Sequence, residues 1–411
     1  MKKLLIVLIL ICSMLFIGCK KEEAPTDNLV LDENQNFKKL NKVENLSEDK
    51  DNLEVEDEFV NSLYEFTNKT INKLYKEKNI VYSPISLYFA LSMLYEATTN
   101  KARQELMQLL NINETNSLRN NLSSIYQNNF YKNDKGTGKI ANSFWLNKEY
   151  EIEEDYAKIL QDYYFAEAFS TNFDNDSLEK ICKWINHQTG NLLNIKPNDL
   201  QLNNETALSL INTIYFNNKW KVEMKKENMY TALFNNKKEV KYLKHIIDSS
   251  YYINDKCKVA YDYYQNDNKI MYVLPNEGYT INDLLNDNIF ALIGKKEYSQ
   301  INLSVPKFDI SSSLNFIQTL KELGVEEIFN DSTSDIKSIK GNDVFVNSIM
   351  QNARIILDEE GTKAAAVTKV DSFPTASNPN EIIDFIIDHS FIYVIFDAKD
   401  VPLFVGVVNE L

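Results

Sequence analysis

Side chains able to do chemistry are sparse in this chain of 411 residues. Its three histidines, His187, His245 and His389, stand far apart in sequence with no nucleophile-elbow pattern, so a Ser-His-Asp arrangement has no sequence support. No Cys/His grouping has zinc-ligand spacing. Gly136-Thr137-Gly138-Lys139 lacks both the glycine spacing and the Ser/Thr of a phosphate-binding loop, and reads as a turn before a strand. Asp358, Glu359 and Glu360 are adjacent acids, but strand neighbours point to opposite faces, which does not build a paired-carboxylate site. An enzyme is not expected, nor a cofactor or metal.

The stretch that does carry a chemical pattern begins at Glu359 and Gly361. Thr362, Ala364, Ala366, Thr368, Val370 and Ser372 are uncharged, whereas Lys363, Ala365, Val367, Lys369 and Asp371 carry every charge. Period-two sorting marks a strand with one buried face. Yet Gly361 precedes it, and Pro374 and Pro379 follow, as suits an exposed loop. The residues alone allow an edge strand running into a surface loop, or a loop written so that it can become a strand.

The elements around it are those of one large domain. The chain is 44% hydrophobic and 25% charged, with only ten glycines and eight prolines, which suits a sizeable core. Val60, Leu63, Thr67, Ile71 and Leu74 make a helical stripe. Ser83 is a natural N-cap with Pro84 at the first helical position, and the helix that follows is apolar nearly all round, as a buried helix is. Strand-like runs follow at 140–146, 207–216, 241–248, 269–274, 301–310, 344–357, 391–397 and 402–408. Several are continuous apolar runs, as in strands covered on both faces. Helices first and mixed strands later predict an α+β fold without regular βα alternation.

Eight further motifs occur in order: NIVYSPISLYFALSMLY at 79–95, IANSFWLNKEY at 140–150, ICKWINHQTGNLL at 181–193, NTIYFNNKW at 212–220, VPKFDI at 305–310, LKELGVEEIF at 320–329, FIIDHSFIYVI at 385–395 and PLFVGVVN at 402–409. With Glu359, Gly361, Thr362, Ala364, Ala365 and Ala366, which resemble the proximal hinge of a reactive loop, they make residues 58–411 resemble the serpin family. The resemblance implies a serpin-like α+β fold: helices packed on a large central mixed β-sheet, further sheets and an exposed reactive-centre loop.

It also implies suicide-type inhibition of proteases. The protease attacks a bait carbonyl and forms an acyl-enzyme, and the cleaved loop then enters the central sheet as a new strand, a recognised case of strand addition. The entering face has to be uncharged, because an unpaired buried charge costs several kcal/mol. The set from Thr362 to Ser372 meets that demand. About 12 inserted residues correspond to roughly 40 Å of strand.

Residue by residue, Ser83, Asn212 and Gln351 match the family's polar cluster beneath the sheet, with Gln351 where His is usual. An amide hydrogen-bonds but does not titrate near neutral pH. Trp220 matches the sheet-top position where insertion begins, Lys307 and Glu359 match the hinge ion pair, and Ser390 replaces the usual Pro. Counting from Gly361 by the family's hinge length puts the scissile bond at Thr375–Ala376; a longer loop leaves it elsewhere within 373–378. No Lys or Arg lies in 370–380, so the implied targets are elastase-like or subtilisin-like serine proteases. Phe373 would suit a chymotrypsin-like enzyme if the count shifts by two. Two other readings stay open: a non-inhibitory serpin-fold surface-binding lipoprotein, and an inhibitor of papain-like cysteine proteases.

At the N-terminus, Lys2 and Lys3 precede an apolar run from Leu4 to Ile17, which reads as a signal peptide over 1–18, too short for a span of about 20 residues. Phe16-Ile17-Gly18-Cys19 resembles the bacterial lipobox. That implies a lipidated Cys19 and a bacterial lipoprotein held outside the cytoplasm, on the cell membrane or the outer membrane; an incidental Cys after a plain signal is the other reading. Residues 19–57 are so charged that a disordered tether is expected, with a root-mean-square span of about 35 Å. The net charge of −15 disfavours nucleic acid, heparin-like polyanions and anionic lipid surfaces as partners. Membrane contact is expected through lipid only, and the domain as a monomer that meets its target protease. Cys182 and Cys257 remain in the domain; the resemblance puts them on a helix and in a different sheet, as free thiols.

Overall fold

The computed structural model describes residues 29–43, 53–330, 335–341, 344–362 and 382–411. Among them are eight α-helices and two large sheets, an α+β architecture. Helix α1 (Asp57–Leu74) buries Val60, Leu63, Thr67 and Ile71 along one stripe. Helix α2 (Pro84–Ala97) begins where Ser83 Oγ accepts the Ser86 N–H at 3.3 Å, and every residue of it except Glu96 is buried.

The first sheet has eight strands: β1 (Phe37–Lys39), β2 (Tyr131–Lys132), β3 (Gly136–Asn147), β4 (Ala166–Thr171), β5 (Leu208–Lys219), β6 (Phe308–Asn315), β7 (Val346–Leu357) and β8 (Gly361–Thr362). Its order is β1-β4-β3-β5-β7-β6, with β8 added to β5 and β2 to β3. The sheet is mixed. β3 pairs β5 antiparallel, whereas β5 and β7 run parallel. One face carries Leu208, Leu210 and Phe216 into the main core, where Phe216 meets Phe404 of the second sheet edge-on, ring centroids 6.3 Å apart. The other face carries Trp145 and Ile211 under helix α3 (Asn175–Gln188), which supplies Trp184 and Ile185 to a separate core. The second sheet has nine strands; Phe391–Phe396 and Pro402–Val408 within it are buried at every position, which explains their unbroken apolar runs.

The disordered tether expected over 19–57 is corrected for its described part. β1 pairs antiparallel with the outer strand β4, Phe37 opposite Thr171. Phe37 is 1% exposed, stacks on Phe169 at 5.5 Å and has Lys180 Nζ 4.7 Å from its ring centroid. Lys39 pairs with Glu167, and Asn41 accepts from Ala168 N while donating to Ala166 O. Average composition hid this because one aromatic is enough to anchor a short edge strand, and the charges around it find partners. The domain boundary also moves forward, since Val55 is buried and α1 starts at Asp57. The signal region, Cys19 and residues 20–28 and 44–52 lie outside the described residues.

Candidate functional site

The site is a seam in the first sheet. β5 is 12 residues long, yet its ladder with β7 joins only Leu208–Ile211 to Val346–Met350, with a register shift between Val346 and Ser348. Above Ile211 no described ladder pair joins the two strands. β8 closes the top: Gly361 pairs with Lys219 and Thr362 with Asn218, antiparallel. Between these ends, positions 212–217 of β5 keep one backbone edge unpaired among the described residues, a template for one further strand.

A tight turn delivers the hinge to that opening. Asp358 and Gly361 form an antiparallel bridge, their N–H groups donating to each other's carbonyls at 3.0 and 3.3 Å, and Asp358 Oδ1 accepts from Glu360 N at 2.9 Å. Gly361 has φ +137°, and a Cβ there would come within 2.1 Å of Asn218 O. Only glycine fits so close an approach. Trp220 Nε1 donates to Asp358 O at 2.9 Å. Lys307 and Glu359 form an ion pair, and Lys226 Nζ lies 3.9 Å from the same carboxylate. The hydrogen bond from Lys307 holds Glu359 below the usual carboxylate range, while burial pushes Asp358 up. The turn is thus fixed at its backbone and at both acid side chains.

The structure joins only part of the polar cluster expected from Ser83, Asn212 and Gln351. Gln351 on β7 accepts from Ser83 N at 2.6 Å and donates to Ser83 O at 3.0 Å. Asn212 instead donates to Asn142 Oδ1 at 2.7 Å, and Asn142 donates to Tyr164 O at 2.7 Å. β7 is therefore tied to α2, whereas β5 is tied to β3, so the two sides of the seam are anchored to different elements. Beside the seam and under α3, the buried hydroxyls of Ser209, Thr213 and Ser348 have no protein partner among the described residues.

The remaining candidates are structural. His245 Nε2 meets Asp262 Oδ2 at 3.0 Å, both side chains buried, but Nδ1 meets no partner among the described residues; a catalytic pair needs a nucleophile within reach. His389 lies between Asp388 (2.6 Å) and Pro275 O (2.9 Å). Ser390, in place of Pro, uses the N–H that Pro lacks to donate to Asn235 Oδ1 at 3.1 Å. Gly136-Thr137-Gly138-Lys139 opens β3 rather than a helix, so it cradles no phosphate. Cys182 on α3 and Cys257 in the second sheet are free and buried, and burial pushes each thiol up to about 11. No group of three or more metal-ligating side chains occurs among the described residues. Ala364, Ala365, Ala366, Thr375 and Ala376 lie outside those residues.

One residue of the site was missed in the sequence. Tyr264 is fully buried and its hydroxyl lies 2.9 Å from Thr362 Oγ1. It sits in an ordinary strand-like run, and a contact across 98 residues of chain leaves no local signal.

A family model described as Serpin (serine protease inhibitor) matches residues 57–411. A serpin-like protein of Acanthamoeba polyphaga mimivirus is 28% identical over 370 residues, covering 85% of this chain and 89% of the relative. The leukocyte elastase inhibitor of Homo sapiens is 27% identical over 360 residues, covering 80% of this chain and 92% of the relative. The native-state crystal structure of the thermophilic serpin tengpin superposes with a TM-score of 0.79 at 23% identity, covering 92% of this chain and all of that one, and so shares the fold.

Proposed function

The chain belongs to the serpin family, and on that premise we propose that it is a suicide-type inhibitor of extracellular serine proteases with a shallow, elastase-like or subtilisin-like primary pocket. The observation that carries this reading is β8. The hinge is already laddered onto β5 at the top of an open seam, with Thr362 turned inward and 3% exposed. Continuing that register would set Ser372 opposite Leu208, the first residue of β5. The uncharged alternation of the hinge is therefore as long as the strand it would lie against. Its inward set would face the side that carries Phe216, Leu210 and Leu208 into the main core, where charge is excluded.

The new strand would be antiparallel to both neighbours, replacing a parallel pairing with two of the slightly stronger antiparallel kind. Full entry requires β5 and β7 to part over Leu208–Ile211. That opening competes with deacylation of the trapped protease. An acyl linkage carried along the seam by roughly 40 Å of strand leaves the protease distorted before water completes its turnover.

The bait at Thr375–Ala376, a small β-branched residue after Pro374, supports the shallow-pocket assignment. Incubation with a protease panel tests it: elastase-like or subtilisin-like enzymes are expected to give a detergent-resistant complex, trypsin none, and the released peptide should begin at Ala376. A peptide beginning at Pro374 would move the bait to Phe373 and remove the elastase-like assignment. Cleavage without any complex would favour a non-inhibitory binding protein, and a complex only with papain-like enzymes would change the target class. We further propose that Cys19 is lipidated and anchors the domain outside a bacterial cytoplasm; Cys19→Ser should then move the protein from the membrane to the soluble fraction.

A further inference from the structure

We infer that Tyr264 is a positioning residue that keys the register of loop insertion, through the hydrogen bond between its hydroxyl and Thr362 Oγ1. This rests on the inhibitory reading above. Tyr264 follows the second-sheet strand Cys257–Tyr263 and bridges backbone to backbone with Trp220 at the end of β5. Its ring stacks on Trp220 with centroids 4.7 Å apart and meets Phe216 edge-on at 5.3 Å. Those contacts aim the phenol at the opening of the seam, where the partner it meets is the Thr362 hydroxyl at 2.9 Å. Both side chains are buried, at 0% and 3% exposure.

A hinge built from Ala364-Ala365-Ala366 has a register problem. Small, near-identical residues fit a seam equally well in several registers, and strands of that kind are weakly specified. A slip of one residue would turn Lys363 or Gly361 to the core. A slip of two would bring Ala364 or Glu360 to Tyr264, the first without a hydroxyl and the second charged. The next inward hydroxyl after Thr362 is Thr368, three inward positions on. Among the first inward positions, Thr362 alone satisfies the buried phenol, and every neighbouring register leaves it unpaired or beside a charge. The key is set before cleavage, so insertion starts from a ladder already in register rather than from a search among registers.

Four variants test this: Tyr264→Phe, which keeps the ring stack; Thr362→Val, which keeps the shape; both together; and Thr362→Ser, which keeps the hydroxyl. The readout is the ratio of cleaved inhibitor to trapped complex, which scales inversely with the rate of insertion. Tyr264→Phe and Thr362→Val should each raise it roughly three- to tenfold, the range for one buried hydrogen bond. The double variant should go no further than either single one, and Thr362→Ser should match wild type. An unchanged ratio, effects that multiply in the double variant, or failure of the Ser variant to rescue would overturn the key. Wild-type protein that trapped no protease would refute the inhibitory reading instead. The key would then be read from the rate at which loop-nicked protein gains heat resistance: slowing of the same size in Tyr264→Phe supports it, and an unchanged rate overturns it.

Discussion

Gln351 holds the backbone of Ser83 by both ends of its amide, accepting from Ser83 N at 2.6 Å and donating to Ser83 O at 3.0 Å. This ties one side of the seam to the cap of the buried helix α2, in a place 5% and 0% exposed. Gln351→Ala would leave the buried Ser83 N–H unpaired, at about 1–3 kcal/mol, while Ser83 O keeps the Leu87 N–H at 3.2 Å. Equilibrium unfolding should therefore show a loss of about 1–3 kcal/mol; no measurable loss would mean that water replaces the amide. Because Gln does not titrate near neutrality, the rate of insertion should also stay flat between about pH 6 and 8, where Gln351→His should introduce a pH dependence.

Phe37 anchors the outermost strand of the same sheet. Its ring lies against Phe169 and Trp145, with Lys180 over its face. Truncation to Ala removes an almost fully buried aromatic, a change that costs about 3 kcal/mol in well-packed sites. Phe37→Ala should lower unfolding stability by about that amount and expose residues 29–43 to proteolysis. Wild-type resistance to digestion over those residues would show that β1 is held by its backbone ladder and ion pair alone.

The hinge and the pairing of Lys307 with Glu359 could be placed from sequence through the resemblance to the family's motifs, not from residue types alone. Gly361 admits a backbone approach that no other residue tolerates, and period-two alternation states which hinge residues face inward. The α+β core was equally open to reading, since the runs at 391–397 and 402–408 are apolar at every step. Three features could not be read locally. β1 rests on one aromatic within a charged stretch, so average composition pointed to disorder. The resemblance grouped Asn212 with Ser83 and Gln351, but β3 sets Asn142 directly opposite it on the neighbouring strand. Tyr264 meets Thr362 solely because two sheets converge at Trp220, and no spacing rule encodes that.

Asp397 gives the fold a pH signature apart from the seam. Its carboxylate accepts from Lys399 N at 2.8 Å, Val401 N at 2.9 Å and Asn129 Nδ2 at 2.8 Å, yet burial outweighs these bonds and pushes its pKa up to about 6. The unfolded value is about 3.9. The folded state therefore binds the extra proton between these values, and stability from this group is full below about pH 4 and lost as pH rises to 6. Asp397→Asn removes that term. Wild type should lose ground to the variant from pH 4 to 6, by on the order of 3 kcal/mol, with a flat difference above about pH 6.5. A difference that stayed flat from pH 4 would show that the three donors already keep the group ionised.

Thr362 is the place to test insertion itself. Its side chain is already inside the sheet, 3% exposed and bonded to Tyr264, so Thr362→Arg would demand a long charged side chain where a small neutral one fits. An unpaired charge buried there costs several kcal/mol, which corresponds to more than about a hundredfold in the rate of the inserting step. Deacylation should then win, and the variant should be cut at the bait without holding the protease. Lys363→Glu reverses a charge one residue on, where alternation turns the side chain to the other face, and should still trap protease. Gel separation of cleaved inhibitor from covalent complex gives the ratio directly: nearly all cleaved for Thr362→Arg, largely complex for Lys363→Glu. If Thr362→Arg trapped protease as well as wild type, the inward face of the hinge would not be entering the sheet, and the inhibitory reading of this chain would have to be abandoned.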